Sequence, residues 1–231
     1  MGIIELENVR KIYQLGETEV EALRGSDVEI EQGEFVAVMG PSGSGKSTLM
    51  NMIGALDIPT SGKVSIGDED IGEMKQDELA LLRSRKIGFI FQEFNLINSM
   101  NAWQNVALPM VFRDVKKSER KKRAVSLLEQ VGLEERTSHR PSELSGGQRQ
   151  RVSIARSLAN NPEIILADEP TGNLDTKTGA KIMDLLTELN NDGKTIIMVT
   201  HDPNDAEYAD RTITIIDGKT NPEDERTDNE N

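Results

Sequence analysis

The chain has 231 residues, a formal net charge of −13, 36% hydrophobic and 29% charged residues, and only 3% aromatics. This is enough apolar material for one packed domain under a very polar surface. The acidic balance argues against nucleic acid as the main partner, because phosphate binding needs a basic footprint. With no cysteine and two histidines, His139 and His201, disulfides, thiol catalysis and Cys- or His-based metal clusters are excluded.

The elements follow in chain order. "IIELENV" alternates as a strand, and "VEALRG" and "SDVEIEQGE" follow with a turn at Gln32-Gly33, which predicts a small antiparallel sheet at the N-terminus. The start lacks the basic, then apolar, pattern of a signal peptide, and Leu6 stands where a myristoylation motif has Ser or Thr. "EFVAVMG" is a continuous apolar run, as in a strand buried on both faces, and "KSTLMNMIGAL" after it reads as a helix. Further buried-strand runs are "IGFIFQ", "EIILADEP" and "KTIIMVTH"; helical spacing marks "GQRQRVSIARSLANN" and "TKTGAKIMDLLTELNND". Buried strands alternating with helices predict an α/β fold with a mainly parallel sheet. Between Gln92 and Leu144 only helices are expected, "NAWQNVALPMVF" and "SERKKRAVSLLEQVGL", so residues 93–145 read as an inserted helical subdomain. The end, residues 218–231, belongs to a stretch with six acids and two bases from Asp217 onward, and reads as a disordered tail. No apolar run exceeds about five residues, against roughly 20 for a membrane span. A soluble cytoplasmic chain is expected.

"GPSGSGKST" fits the P-loop pattern from Gly40 to Ser47. Glycines let the backbone wrap phosphates, Lys46 neutralises them, and the Ser47 hydroxyl suits Mg²⁺. Chance matches in a chain of this length are on the order of one per cent. The strand before the loop and the helix after it raise the specificity, and a nucleoside triphosphate is the expected ligand. "IILADEP" brings Asp168 to a strand end, where it could hold Mg²⁺, and Glu169 one residue on, where a carboxylate could polarise a water. Taken alone, an acid at a strand end is weak grounds; so are Gln92 and His201, each a polar residue just past an apolar strand. "LSGGQRQRVSIARSL" opens with glycines at a helix start, which makes it a second place suited to an anion.

The ordered set "GPSGSGKST", Gln92, "LSGGQ", "IILADEPTGNLD" and "VTHD" resembles the ATPase subunit of ABC transporters, over about Ile3 to Asp217. The resemblance implies a P-loop NTPase with a RecA-like core, ATP and Mg²⁺ as ligands, and an ABC ATPase domain spanning residues 1–217. It implies that Tyr13 stacks on the adenine. Gly40, Pro41, Ser42, Gly43, Ser44, Gly45, Lys46, Ser47 and Thr48 form the P-loop, and Gln92 contacts metal and water. Ser145, Gly146, Gly147 and Gln148 form the signature after Leu144. On the same resemblance Asp168 would hold Mg²⁺, Glu169 would be the general base, Asn173-Leu174-Asp175 would form the D-loop, and His201 would be the switch histidine. In that family two subunits pair head to tail, so the signature of one covers the γ-phosphate held by the P-loop of the other. That explains two anion sites in one chain.

"NVRKIYQLGETEVEALRG", "FQEFNLINSMNAWQNVALPM" and "ADEPTGNLD" resemble the branch that includes LolD and MacB-type ATPases, which implies an FtsX/MacB-like permease partner and a peripheral place on the inner face of the membrane. Asn98 stands where that branch has a proline, and "GSDVEIEQGE" is unusually acidic. Two other classes fit parts of the pattern: a regulatory ATPase that transmits force to envelope enzymes, and a soluble ABC ATPase acting on DNA or ribosomes. The latter usually has two fused units or a long coiled coil. "RDVKKSERKKR", with seven bases and two acids, reads as a solvated helical face or as a contact for anionic lipid. "EFNLINSMNAWQNVALPM" reads as core packing with some residues at a docking site for the permease.

Overall fold

The computed structural model describes residues 2–221. In chain order they form β1 (Ile4–Leu15), β2 (Thr18–Ile30), β3 (Phe35–Met39), α1 (Lys46–Ile53), β4 (Ser61–Ile66), β5 (Glu69–Asp70), α2 (Gln76–Lys86), β6 (Ile87–Phe91), α3 (Ala102–Val111), α4 (Lys117–Gln130), α5 (Gly146–Ser157), β7 (Ile164–Asp168), α6 (Thr176–Asn191), β8 (Thr195–Val199), α7 (Pro203–Ala206), β9 (Arg211–Ile216) and β10 (Lys219–Thr220). The chain divides into two compact units, one of residues 1–83 with 193–231, the other of residues 84–192.

The first unit holds the antiparallel sheet β2-β1-β4-β5. β2 is one strand where the sequence reads as two, because Gly25 takes φ +93 and lets the strand bend without ending. The second sheet of this unit places β3 between β8 and β9 with parallel register, Val36 beside Ile197 and Arg211. All five residues of β8 are buried, and so are the first four of β3. Such two-faced burial is why these strands read as continuous apolar runs.

The second unit pairs β6 with β7 in parallel, Ile87 opposite Ile164 and Phe91 opposite Asp168. The two long helices α3 and α4 lie within residues 93–145, and α5 packs on both. Asn105, fully buried, links α3 to the loop before it through Ile97, Met100 and Asn101. On α4 the apolar Ala124, Leu127 and Leu128 are buried, while Lys117, Lys121, Lys122 and Arg123 are exposed and Arg120 is half-buried, with Lys121 over the Trp103 ring at 5.5 Å. Of the apolar residues in "EFNLINSMNAWQNVALPM", Val106, Ala107 and Met110 are core, while Ile97 is exposed.

One expectation is corrected at the C-terminus. The stretch read as a tail from 218 begins with β10, which pairs Lys219 with Ile216, and Gly218 N–H donates to the Ser44 carbonyl of the P-loop at 2.8 Å. Residues 222–231 lie outside the described residues. Among the described residues, no helix is long and apolar enough to cross a membrane.

Candidate nucleotide site

In the first unit, β3 ends at Met39 and the chain loops through Gly40–Gly45 into α1. Gly43 and Gly45 take φ +78 and +108, conformations open to glycine. A Cβ on Gly40 would lie 2.2 Å from the Ile215 carbonyl oxygen, so the loop can lie against β9 only without a side chain there. α1 starts with no side-chain cap and no acid in its first turn. Its first N–H groups are therefore left for a ligand. Ser44 Oγ is buried with no hydrogen-bond partner, and Lys46 Nζ donates to the Gly40 and Pro41 carbonyls at 2.7 and 2.9 Å. These are donors and one cation converging on a loop without carboxylates, which fits a polyphosphate.

Tyr13 comes to the same unit from β1. Its hydroxyl is 3.1 Å from Asp57 Oδ2 and also engages Thr48 and Asn51 of α1. Burial, then the Asp57 carboxylate, raises the phenol above its ordinary range. Asp57 is in turn held by Lys11 Nζ at 2.8 Å, and the same ammonium lies 5.0 Å from the Tyr13 ring centroid. The ring is thus anchored to the helix that follows the P-loop. Nothing in the sequence alone marks Lys11 or Asp57 as that anchor. His201 stands exposed two residues beyond β8, followed by Asp202, whose side chain caps α7 through Asn204 N–H.

The second unit brings together Gln92, the signature and the segment after β7. Gln92 follows β6; its carbonyl accepts from Asn173 Nδ2 at 2.8 Å, and its Nε2 lies against Gly172. Phe94 and Asn95, both at positive φ, are held by the Arg156 guanidinium through their carbonyls, with Phe94 O at 2.8 Å. Asp168 closes β7, and Glu169 takes φ +43, an uncommon conformation for a glutamate, of the kind that concentrates at functional sites. Ser145 caps α5: its Oγ accepts from Gln148 N–H at 3.3 Å while Gln148 Oε1 accepts from Ser145 N–H at 2.9 Å. This box ties down the third turn residue and leaves the Gly146 and Gly147 N–H groups at the open end of the helix. A Cβ on Gly147 would lie 2.4 Å from Thr178 Cγ2, so the second signature glycine is also what lets α5 approach α6. Asp175 caps α6 through Thr178 N–H and accepts from Thr178 Oγ1, bonds that hold its carboxyl below the ordinary value. Gln150, fully buried, donates from Nε2 to the Pro170 carbonyl at 2.6 Å. Sequence reading passed over Gln150, Arg156 and Thr178, which are ordinary helical residues until the fold shows what they touch.

Among the described residues no three His, Cys, Asp or Glu side chains cluster as a metal cage.

Residues 23–172 match the ABC transporter family. The chain belongs to that family. It is an ABC-type ATPase cassette. It is 53% identical to an uncharacterized ABC transporter ATP-binding protein, YknY of Bacillus subtilis, covering 95% of this chain and 96% of YknY. It is 50% identical to the macrolide export ATP-binding/permease protein MacB of Bdellovibrio bacteriovorus, over 94% of this chain but only 33% of MacB. A dimeric post-hydrolysis structure of the cassette MJ0796, a Methanocaldococcus jannaschii protein, bound to ADP and Pi, superposes with a TM-score of 0.87 at 50% identity, covering 96% of this chain and 98% of that one. The cassette fold thus comprises an α/β core, an antiparallel sheet and a helical part, as the sequence predicts.

Proposed function

We propose that the chain is the ATP-hydrolysing motor of an ABC transporter, closing head to tail as a homodimer around two ATP molecules and driving a separate FtsX/MacB-like permease. The observation that carries this reading is the pair of glycine-led helix starts, α1 with no side-chain cap and α5 with its Gly146 and Gly147 N–H groups outside the Ser145–Gln148 box, each a place suited to an anion. Only α1 has a lysine. The first turn of α5, Gly146, Gly147 and Gln148, offers donors without a cation, and Arg149 just after it lies over the Phe94 ring at 5.1 Å, so this helix start suits an anion that another group already neutralises. The MJ0796 cassette is dimeric and holds ADP and Pi, and MacB joins a cassette to its permease in one protein; both support the reading.

Lys46 and the loop N–H groups hold the β- and γ-phosphates, and Tyr13 stacks on the adenine, its plane set by the Asp57 bond. Ser47, Asp168 and Gln92 would hold Mg²⁺, which when bound neutralises charge on the phosphate oxygens. Glu169 accepts a proton from the attacking water as the general base, and His201 donates a hydrogen bond to the γ-phosphate. Ser145, Gly146, Gly147 and Gln148 of one chain donate to the γ-phosphate held by the other, and Asp175 lies in the D-loop beside that signature. The permease places the chain peripherally on the inner face of the membrane.

Glu169→Gln keeps ATP binding while lowering turnover about 10²- to 10⁴-fold. By light scattering after gel filtration this variant is a dimer with ATP and a monomer with ADP, since hydrolysis removes the group that joins the chains. Adding Ser145→Arg abolishes the ATP dimer and leaves monomer binding intact. A dimer that survives Ser145→Arg, or forms equally with ADP, contradicts the proposal.

A further inference from the structure

We propose that Gln150 is a positioning residue that couples the two ATP sites, by passing engagement of a chain's signature to the same chain's Glu169. The inference rests on the head-to-tail reading above, in which the signature serves the partner's ATP while Glu169 serves the ATP held by its own Lys46. A residue joining the two therefore joins the two sites.

The geometry is short and rigid. Gln150 lies on α5 four residues after Gly146, roughly 6 Å along the helix axis. The Ser145–Gln148 box locks that first turn, so the turn and Gln150 move together. Gln150 is 0% exposed and its amide has one partner, the Pro170 carbonyl at 2.6 Å. Because that partner is an acceptor, the atom facing it must be the amide nitrogen. Its Oε1 is buried without a partner, so no second bond holds the side chain against movement of Pro170. Pro170 follows Glu169 directly, and proline fixes its own φ near −65°. Displacement of the Pro170 carbonyl is therefore felt at Glu169, which already holds φ +43, and the Gly172 N–H closes the turn by donating to the Glu169 carbonyl at 3.1 Å. The packing of Gly147 on Thr178 is a separate link, leading into α6 and not to Glu169.

The test uses the full chain and ATP turnover measured against ATP concentration. Gln150→Met keeps length and bulk and removes the donor. It should lower kcat about tenfold, the factor that follows from about 1.4 kcal/mol, which lies within the range for one lost buried hydrogen bond. Half-saturation should stay within about twofold, and the Hill coefficient should fall from above 1 in the unmodified chain to 1. Gln150→Glu serves as the rescue variant, and it keeps the test open if the Met variant fails to fold. Protonated, its carboxyl donates to Pro170 as the amide does; ionised, it puts a charge against a carbonyl. Its kcat relative to the unmodified chain should rise as pH falls from 8.5 to 6. Hydrogen exchange at Gly172 should quicken in Gln150→Met while the amides of α5 keep their protection.

A Hill coefficient of 1 in the unmodified chain overturns the proposal. So does a kcat loss in Gln150→Met with the coefficient unchanged, or a pH-independent ratio for Gln150→Glu. Failure of the underlying dimer reads differently: Glu169→Gln would then stay monomeric with ATP, whatever stands at residue 150.

Discussion

Gly147→Ala separates what the signature glycine does for the fold from what it does for a ligand. The added Cβ would stand 2.4 Å from Thr178 Cγ2, where carbon atoms need about 3.5–4.0 Å. Thr178 cannot simply rotate away, because its Oγ1 is bonded to Asp175 Oδ2 at 2.6 Å. Overpacking of this size costs about 1–3 kcal/mol, offset by up to about 1 kcal/mol for replacing a helical glycine with alanine. The single variant should thus lose about 0–3 kcal/mol, or up to roughly 12 °C in Tm. Thr178→Ser keeps the hydroxyl and deletes the offending methyl. In that background Gly147→Ala should become neutral or stabilising, giving a coupling of about 1–3 kcal/mol in a double-mutant cycle by urea denaturation. A coupling below about 0.5 kcal/mol would refute the steric account and leave Gly147 a glycine for the ligand's sake alone.

Tyr13→Ala should weaken ATP binding about 5- to 100-fold, the range of one stacking contact. Tyr13→Phe should lose less, and GTP should compete with ATP because stacking has little base preference; unchanged affinity in Tyr13→Ala, by calorimetry, makes the ring purely structural. Asp57 carries a pH signature. Burial works to raise its carboxyl, but the Lys11 ammonium, the Ile58 N–H and the Tyr13 hydroxyl outweigh it and hold the pKa below 3.8. A carboxyl depressed in the folded state adds stability above its unfolded value and loses it as pH falls through the folded one. The stability gap between the unmodified chain and Asp57→Asn should therefore be constant above pH ~5 and shrink below pH ~4; a gap that does not change with pH refutes the anchoring role.

The parts of this fold that were legible in the sequence are those buried on both faces. β3, β7 and β8 read as unbroken apolar runs because their surroundings leave almost no face for a polar residue, and β6 reads the same way although its Phe89 and Phe91 are only half-buried. β4 was missed because only Val64, Ser65 and Ile66 of its six residues are buried and the rest read as a turn. α2 was missed because it buries only Leu79 and Leu82, too little to set a helical period. β9, with alternating Thr and Ile, carries a strand signal in its own letters, next to an acidic end that masks it. At the site, the glycines, Lys46 and Asp168-Glu169 announce themselves by spacing. The residues that brace the neighbouring loops do not. Gln150, Arg156, Thr178 and Asp57 act through contacts 20 to 62 positions away in the chain for Gln150 and Arg156, three for Thr178, and 44 or 46 for Asp57. Only the fold reveals which ordinary helix or loop residue meets which loop. Glu169's positive φ is likewise invisible in the letters, since glutamate gives no hint of a left-handed backbone.

The central claim is that each ATP site is shared between chains, and mixing two broken chains tests it most directly. Lys46→Ala removes the phosphate cation from one chain; Ser145→Arg blocks the signature of the other. Alone, each variant builds only incomplete sites and should hydrolyse ATP at a small fraction of the normal rate. Mixed in equal amounts, the heterodimer joins the intact P-loop of the Ser145→Arg chain to the intact signature of the Lys46→Ala chain. ATP turnover of the mixture should then rise well above the sum of the two variants measured separately, with a maximum near a 1:1 ratio. Turnover equal to that sum at every ratio would contradict the account, because it would mean that the signature and the P-loop serve the same ATP within one chain.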